Sequence, residues 1–503
     1  MPTKRIDALG HSLSYHYDSL RRLSTLTNEN GENWTFNYDK ADNLISETRF
    51  DAHQSRYDYD PLGMLVTQID NPQLPRHQQR HVRYQRDLIG QLIAKHSSHY
   101  ANDKDNAASK QTQPDYRRTR YQYNLAGQLI SASNQHSRSD LTYDSVGQLI
   151  EERTTSHLTL NGQYQRQAQT LTHDYDEIGN RIATTLPCGK VINQLYYGSG
   201  HLYNQSLTDP SNDNSITEIR HSERNTLHQE IVREQGVLTS AYDYDPMGRL
   251  TKQYSSTENH IAIERHYNYD VLGQLTHLTG HTRITHGQHS RNPSSIQQRR
   301  GHQYQYDSIG RLTEHKLINQ QHTSTVNQST VNQSVTEHFA FDPASNRVPV
   351  NAQASELTNT TVRSTPKQGR PTELKTHDKY LTYTYDSHGR VLYKTQTPLK
   401  DGKPLKQSGN AIVGFRNSLQ LAYNADHELT QSISITQQGI DTTVITTDYH
   451  YDAFGRRTHK HSETKQQSRR HPSGKILISP VQTQKTKQQH TSYLWDGNRQ
   501  LQQ

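Results

Sequence analysis

The sequence predicts an all-β protein: one long antiparallel sheet assembled from tandem hairpins, running through residues 1–503. Three observations predict it. A short template, Tyr-x-Tyr-Asp-x-x-Gly-(Arg/Gln/Asn)-Leu, recurs from one end of the chain to the other. The aromatic residues are 31 Tyr against 6 Phe and 2 Trp, a composition that suits rings packed on a wet wall better than a dry core. Almost no stretch keeps the apolar period of an amphipathic helix.

The clearest copies are Tyr57, Tyr59, Asp60 and Gly63; Tyr242, Tyr244, Asp245 and Gly248; Tyr267, Tyr269, Asp270 and Gly273; and Tyr304, Tyr306, Asp307 and Gly310. Tyr383, Tyr385, Asp386 and Gly389 follow, then Tyr449, Tyr451, Asp452 and Gly455. Weaker copies change one element. Asn124 stands for the Asp, Leu141 for the first Tyr, and Phe339 and Phe341 for both tyrosines before Asp342. Arg21 and Ser345 occupy the glycine slot. In all, about sixteen units are recognisable, which makes this a repeat protein before anything else.

Each unit has a physical reading. Tyr-x-Tyr sets two rings on one face of a strand, because side chains alternate with period two. Asp-x-x-Gly is a type I turn closed by a positive-φ residue, with the carboxylate accepting backbone N–H groups. That is a hairpin with a bulge at the glycine. The following Leu is expected to return to the tyrosine face, giving a cross-strand aromatic–aliphatic pair, and the Arg to point away. Arg21 and Ser345 should distort or lengthen their turns. One hairpin alone is marginal in water, so stability must come from neighbours stacked side by side.

Polar, variable stretches interrupt the series at 101–115, 318–337 and 460–492, and these read as loop insertions. The apolar fraction of 30% and the mean hydropathy of −1.05 would suit a disordered chain, but the net charge of +7 is small for this length. The basic residues are dispersed and no nucleic-acid-binding motif is present, so no nucleic-acid partner is expected. No apolar stretch is long enough to span a bilayer, and Met1–Asp7 has no leader-like apolar run, so neither membrane insertion nor a secretory leader is expected. The single Cys188 rules out an internal disulfide framework and suits synthesis in a reducing cytoplasm.

No chemistry stands out. His77 and His81, and the looser group His281, His286 and His289, lack the accompanying ligands a metal site needs. Cys188 sits in a turn between Pro187 and Gly189 with nothing to activate it. The repeated aspartates all fill one turn slot, so no catalytic carboxylate pair is singled out. Neither a phosphate-binding glycine loop nor a Gly-x-Ser-x-Gly elbow occurs. No catalytic residue, metal or cofactor is therefore expected.

The template resembles the YD repeats of bacterial Rhs proteins, of the related C components of insecticidal toxin complexes, and of animal teneurins. Three further stretches resemble the bacterial Rhs core: Leu186 to His201 around Tyr196-Tyr197-Gly198-Ser199-Gly200-His201, Asn225 to Glu230 followed by Tyr242 to Leu250, and Tyr493 to Arg499. The resemblance implies a sheet coiled into a hollow shell, or cocoon, around a C-terminal toxin. It also implies delivery by type VI secretion through contact with spike proteins, with the enclosed toxin and the remaining core segments as partners. The chain begins inside a repeat at Asp7–Gly10 and shows neither the spike-docking segment nor the toxin tail of that family. It is therefore expected to be shell alone, without enzymatic activity, with unpaired strands at both ends. A surface-adhesion or carbohydrate-binding role is the alternative reading.

Overall fold

The computed structural model describes the chain except residues 100–114, 161–162, 258–259, 286–294, 323–330, 349–360, 365–369, 376–378, 401–402, 405–414, 439–440, 469–484 and 503. The described residues are almost all strand, and the strands pair antiparallel with their neighbours in the chain. A twenty-six-stranded sheet runs from Lys4–Ile6 to Val331–His338, and a ten-stranded sheet from Thr361–Ser364 to Lys485–Ser492.

The turn chemistry sets this meander. In the hairpin Gln54–Tyr59 with Leu65–Asp70, the ladder slips by one residue between Asp58 and Tyr59, so that Tyr59 lies opposite Leu65. The slip closes a four-residue turn: Gly63 N donates to Asp60 O at 3.0 Å, and Asp60 N to Met64 O at 3.0 Å. The same slip sets Tyr244 opposite Leu250, Tyr269 opposite Leu275 and Tyr306 opposite Leu312.

Arg21 and Ser345 do not distort their turns. Each takes the left-handed conformation, at φ 67° and 68°, and closes the same bond at 3.0 Å. The expectation of a longer turn fails because the other hydrogen bonds of the hairpin over-determine the position and hold a non-glycine residue there.

The loop insertions are corrected in part. Residues 318–322 and 331–337 belong to the strands Leu312–His322 and Val331–His338. Residues 460–468 and 485–492 belong to Arg457–Ser468 and Lys485–Ser492, and Asp115 opens Asp115–Tyr123. These are long hairpins whose Gln- and Thr-rich strands carry no apolar alternation by which to recognise them. Residues 101–114, 323–330 and 469–484 lie outside the described residues.

Little of the interior is oily. Val82, Ala132 and Leu171 are fully buried, but so are Ser55, Ser97, Ser137, Ser139, Ser222 and Ser255. Hydroxyl pairs bridge neighbouring strands, with Ser240 and Ser255 at 2.9 Å and Thr447 and Ser462 at 3.0 Å. Small hydrogen-bonded side chains let the sheet bury its face without a Leu/Phe core.

The run of hairpins also winds back on itself, turns of the two-stranded pair Ala340–Phe341 with Arg347–Val348 and of the ten-stranded sheet meeting turns of the twenty-six-stranded one. Laid flat at ~4.8 Å per strand, the distance from the turn at Asn28 to the turn at Asp342 would be roughly 110 Å. Yet Asn30 Nδ2 is 2.9 Å from Asp342 Oδ2. Further along, Asp51 meets Arg370, Asn71 meets Ser387, Lys95 meets Asp426, and Asn134 meets Tyr451. Both sides of this series advance together, as successive coils of a spiral do; a sheet doubled back would run one side in reverse. A coil of that circumference is roughly 35 Å across. No ladder pairing joins the coils among the described residues, so the sheet stays open and its two coils meet along a side-chain seam.

Candidate functional site: the turn latch and the seam between coils

Each turn is locked to its neighbours in both directions. Asp245 Oδ1 accepts from Met247 N at 3.0 Å and from Arg249 N at 2.9 Å. Arg249 Nε donates to Asp245 Oδ2 at 2.6 Å, and its Nη1 reaches Asp270 O in the next turn at 3.2 Å. The same guanidinium lies over the Tyr269 ring, 4.9 Å from its centroid. Arg311 does this toward Asp342 and Phe341, and Arg390 toward Asn424 and Tyr423. The arginine thus does not point away; it bridges two turns. The backbone N–H of Arg249 and then its side chain hold the Asp245 carboxyl below the usual range.

The second tyrosine of each unit ties backward. Its hydroxyl donates to a carbonyl of the preceding hairpin: Tyr59 to Leu44 at 2.9 Å, Tyr244 to Glu230 at 2.8 Å, Tyr269 to Leu250 at 2.8 Å. Tyr306 reaches Leu275 at 2.9 Å and Tyr451 reaches Leu429 at 2.8 Å. Burial raises the pKa of these phenols above the ordinary value, so they stay protonated and remain donors.

The first tyrosine varies. Tyr57 donates to Glu47 Oε1 at 3.1 Å, and burial pushes its phenol up to about 12. Tyr267 bonds Gln253 at 3.3 Å, Tyr449 meets Ser432 at 3.0 Å, Tyr242 lies against Arg233, and Tyr304 stacks with His315. The repeat tyrosines therefore meet arginines, carbonyls and polar side chains. The tyrosine–tyrosine ring contact found among the described residues is Tyr197 with Tyr203, outside the paired positions. Gly63, Gly248, Gly273, Gly310 and Gly455 all take positive φ at the turn end, beside Asp60, Asp245, Asp270, Asp307 and Asp452.

The seam is a second site, built where turns of the later coil meet the earlier one. Arg80 Nη1 pairs with Asp70 at 3.1 Å, and its Nε donates to Ala425 O at 2.5 Å. Asp426 accepts from Lys95 at 2.6 Å and from Ser97 Oγ at 2.8 Å. Burial works to raise the Asp426 carboxyl, but Lys95 and Ser97 hold it below the usual range. Arg181 forks onto Asp496, at 2.7 and 2.5 Å. Beside these lies a polar cavity of about 420 Å³ bordered by Lys95, Arg117, Tyr121, Glu428 and Tyr449. On the early turns the apices stay bare: Leu62, Leu125, Val146, Ile178, Met247 and Leu272 are exposed.

Among the described residues no group of His, Cys, Asp or Glu is arranged to hold a metal, and no helix is long and apolar enough to cross a membrane. His286 and His289 lie outside the described residues, as do the side chains of His77 and His281. His81 bonds Gln79 at 2.9 Å. Cys188 is exposed in its turn.

Residues 3–186 match the family described as Teneurin YD-shell. The same turn is repeated in the same geometry beyond that match, as far as Asp452, so the class the fold defines is a YD-repeat-like β-sheet built from tandem hairpins. Among curated proteins the chain is similar to double-stranded DNA deaminase toxin A of Burkholderia cenocepacia, 24% identical over 78% of this chain and 27% of that protein. It is also similar to toxin protein Tse5 of Pseudomonas aeruginosa, 28% identical over 27% of this chain and 10% of that protein. The chain thus spans about a quarter of the length of the first relative and a tenth of the second. Solved structures similar to it include a TcdB2–TccC3 complex without its hypervariable C-terminal region and a Photorhabdus luminescens Tc holotoxin pore. Each has TM-score 0.47 and 14% identity over 94% of this chain, and 27% and 26% of those chains respectively.

Proposed function

We propose that this chain is a wall segment of a toxin-enclosing shell, made in the bacterial cytoplasm and carried to target cells by type VI secretion. It contributes no catalysis of its own. The observation that carries this reading is the coil: a sheet that returns to itself after roughly 110 Å surrounds a space instead of presenting a flat surface. The names of both curated relatives, which are toxins, support the same reading. The enclosed partner is a polypeptide encoded with the shell, and the contact with the secretion machinery is a spike protein.

Expression from the native locus, with whatever coding sequence adjoins it, tests this. Protease digestion should leave an enclosed fragment intact while the shell holds, and destroy it once the seam is broken by Arg456→Ala, which removes the ion pair of Arg456 with Glu152 at 2.6 Å between the coils. A preparation with no protected fragment in the parent protein would overturn the proposal.

A further inference from the structure

The seam gathers histidines that neither the turns nor the coiling require. His388, at the apex of the turn Asp386–Gly389, has His99, His427 and His53 around it, with ring centroids 5.3, 5.4 and 6.1 Å away. His53 and His99 belong to the earlier coil. Both ring nitrogens of His388 are buried without a hydrogen-bond partner. His427 Nδ1 lies 3.1 Å from Arg390 Nη1. A second group lies further along, where His136 of the earlier coil meets His450 of the later one at 4.9 Å. His136 Nε2 is 2.9 Å from Arg117 Nη1, and His450 Nδ1 is buried without a partner.

A guanidinium can only donate, so His427 Nδ1 and His136 Nε2 must carry lone pairs, and both rings must be neutral. The charges around them leave no room for a proton. Every ion-paired carboxylate facing the first group already has its own cation: Asp51 with Arg370, Asp70 with Arg80, Asp115 with Arg117, Asp386 with Arg390, Asp426 with Lys95, and Glu47 with Arg49. Glu428 is held by Asn424, and burial moves it toward its neutral form. Around His450 stand Arg117, His461 and His490, with Asp448 bonded to Gln431. An added proton would face arginines and other imidazoles across the seam.

We propose that the seam is a proton-operated catch: it is closed while these imidazoles are neutral and parts when they take up protons, while the hairpins of each coil stay folded. Burial and then Arg390 push His388 down to about 3; burial, Arg80 and Arg390 push His427 down to about 4; burial, His450 and Arg117 push His136 down to about 4. An unfolded histidine titrates near 6.5, so an open seam binds protons that a closed seam refuses. Closure is therefore fully favoured above about pH 6.5 and weakens as pH falls from there toward 4. The turn carboxylates of Asp18, Asp245 and Asp307 are held below 3.8, so the hairpins keep their turns across that window.

Hydrogen exchange of the full chain by mass spectrometry, at pH 7.5 and pH 5.0 with intrinsic rates corrected, tests the catch. The amide of Ala425, which donates to Asp115 across the seam at 2.8 Å, should lose at least about tenfold protection, while the hairpin Tyr242–Leu250 keeps its own. The double variant His388→Asn, His427→Asn cannot take up a proton at those positions, and Asn suits the left-handed φ of 64° at residue 427. It should stay closed at pH 5.0. Unchanged protection of Ala425 in the parent, equal loss in the Tyr242–Leu250 hairpin, or a variant that opens at the same pH as the parent would each overturn the proposal. The parent titration decides even if the variant fails to fold.

Discussion

Arg456 and Glu152, 304 residues apart, form an ion pair of 2.6 Å with less than a tenth of either side chain exposed. The same guanidinium holds Asp452 at 2.6 Å through Nε and reaches Gly497 O at 3.0 Å through Nη1. One residue of the repeat template thus serves three connections: its own turn, the next hairpin and the neighbouring coil.

Removing either partner strands a buried charge. Arg456→Ala or Glu152→Ala should each lower stability by about 3 kcal/mol, read from the urea midpoint of the transition that separates the coils. Replacing both together, as Arg456→Met with Glu152→Leu, should cost less than Arg456→Met alone. A double variant that loses the sum of the two singles would show that the residues act independently.

The tyrosine latch predicts a small, repeated effect. Tyr244→Phe removes the hydroxyl that reaches Glu230 O and should cost about 1 kcal/mol. Hydrogen exchange should show the loss on both hairpins the latch joins, Arg224–Glu230 and Tyr244–Leu250. Loss confined to the second hairpin would place the hydroxyl outside the inter-hairpin contact.

Backbone conformation gives opposite signs at equivalent sites. Gly248 sits at φ +83°, and Gly248→Val should destabilise its hairpin by about 1–2 kcal/mol. Arg21 holds φ 67° without being glycine, so Arg21→Gly should raise the melting temperature instead. Differential scanning calorimetry of the pair checks both signs.

The turn carboxylate makes a pH-dependent contribution that can be isolated. Asp245 ionises below its ordinary value in the fold, so its stabilisation is present above about pH 4 and is lost as pH falls through the folded value. Asp245→Asn keeps the Oδ1 acceptor, as Asn124 does toward Ala126 N and Gln128 N at 3.0 and 2.9 Å, and should lose that acid-sensitive part. Asp245→Ala loses both. Melting curves of the three proteins between pH 6 and pH 2 should separate them in that order.

Much of the local fold was legible in the residues. Asp60 and Gly63 state their turn by chemistry alone, and Tyr59 with Leu65 state the register. Other parts were hidden for physical reasons. The turn Arg49–Ala52 closes with the same bonds although it has neither the leading Asp nor the Gly. The stretches 318–322 and 331–337 are mostly polar in sequence and show no sustained apolar alternation, so little in their composition separates them from loop. The seam was beyond reach because its partners lie some three hundred residues apart, as Asn30 and Ala344 do. A short template carries no signal for how many strands complete a coil. The role of the template arginine was hidden for the same reason: its second contact belongs to the next turn.

The winding of the sheet is best tested by a cross-link across the seam. In a Cys188→Ser background, Asn30→Cys and Ala344→Cys place two thiols where Ala344 N now donates to Asn30 Oδ1 at 3.3 Å. Mild oxidation should give a disulfide within one chain, seen as faster migration on a non-reducing gel and reversed by reductant. Thiols that stay free, or that join only separate chains, would mean that the sheet does not return to itself and that the coil does not form.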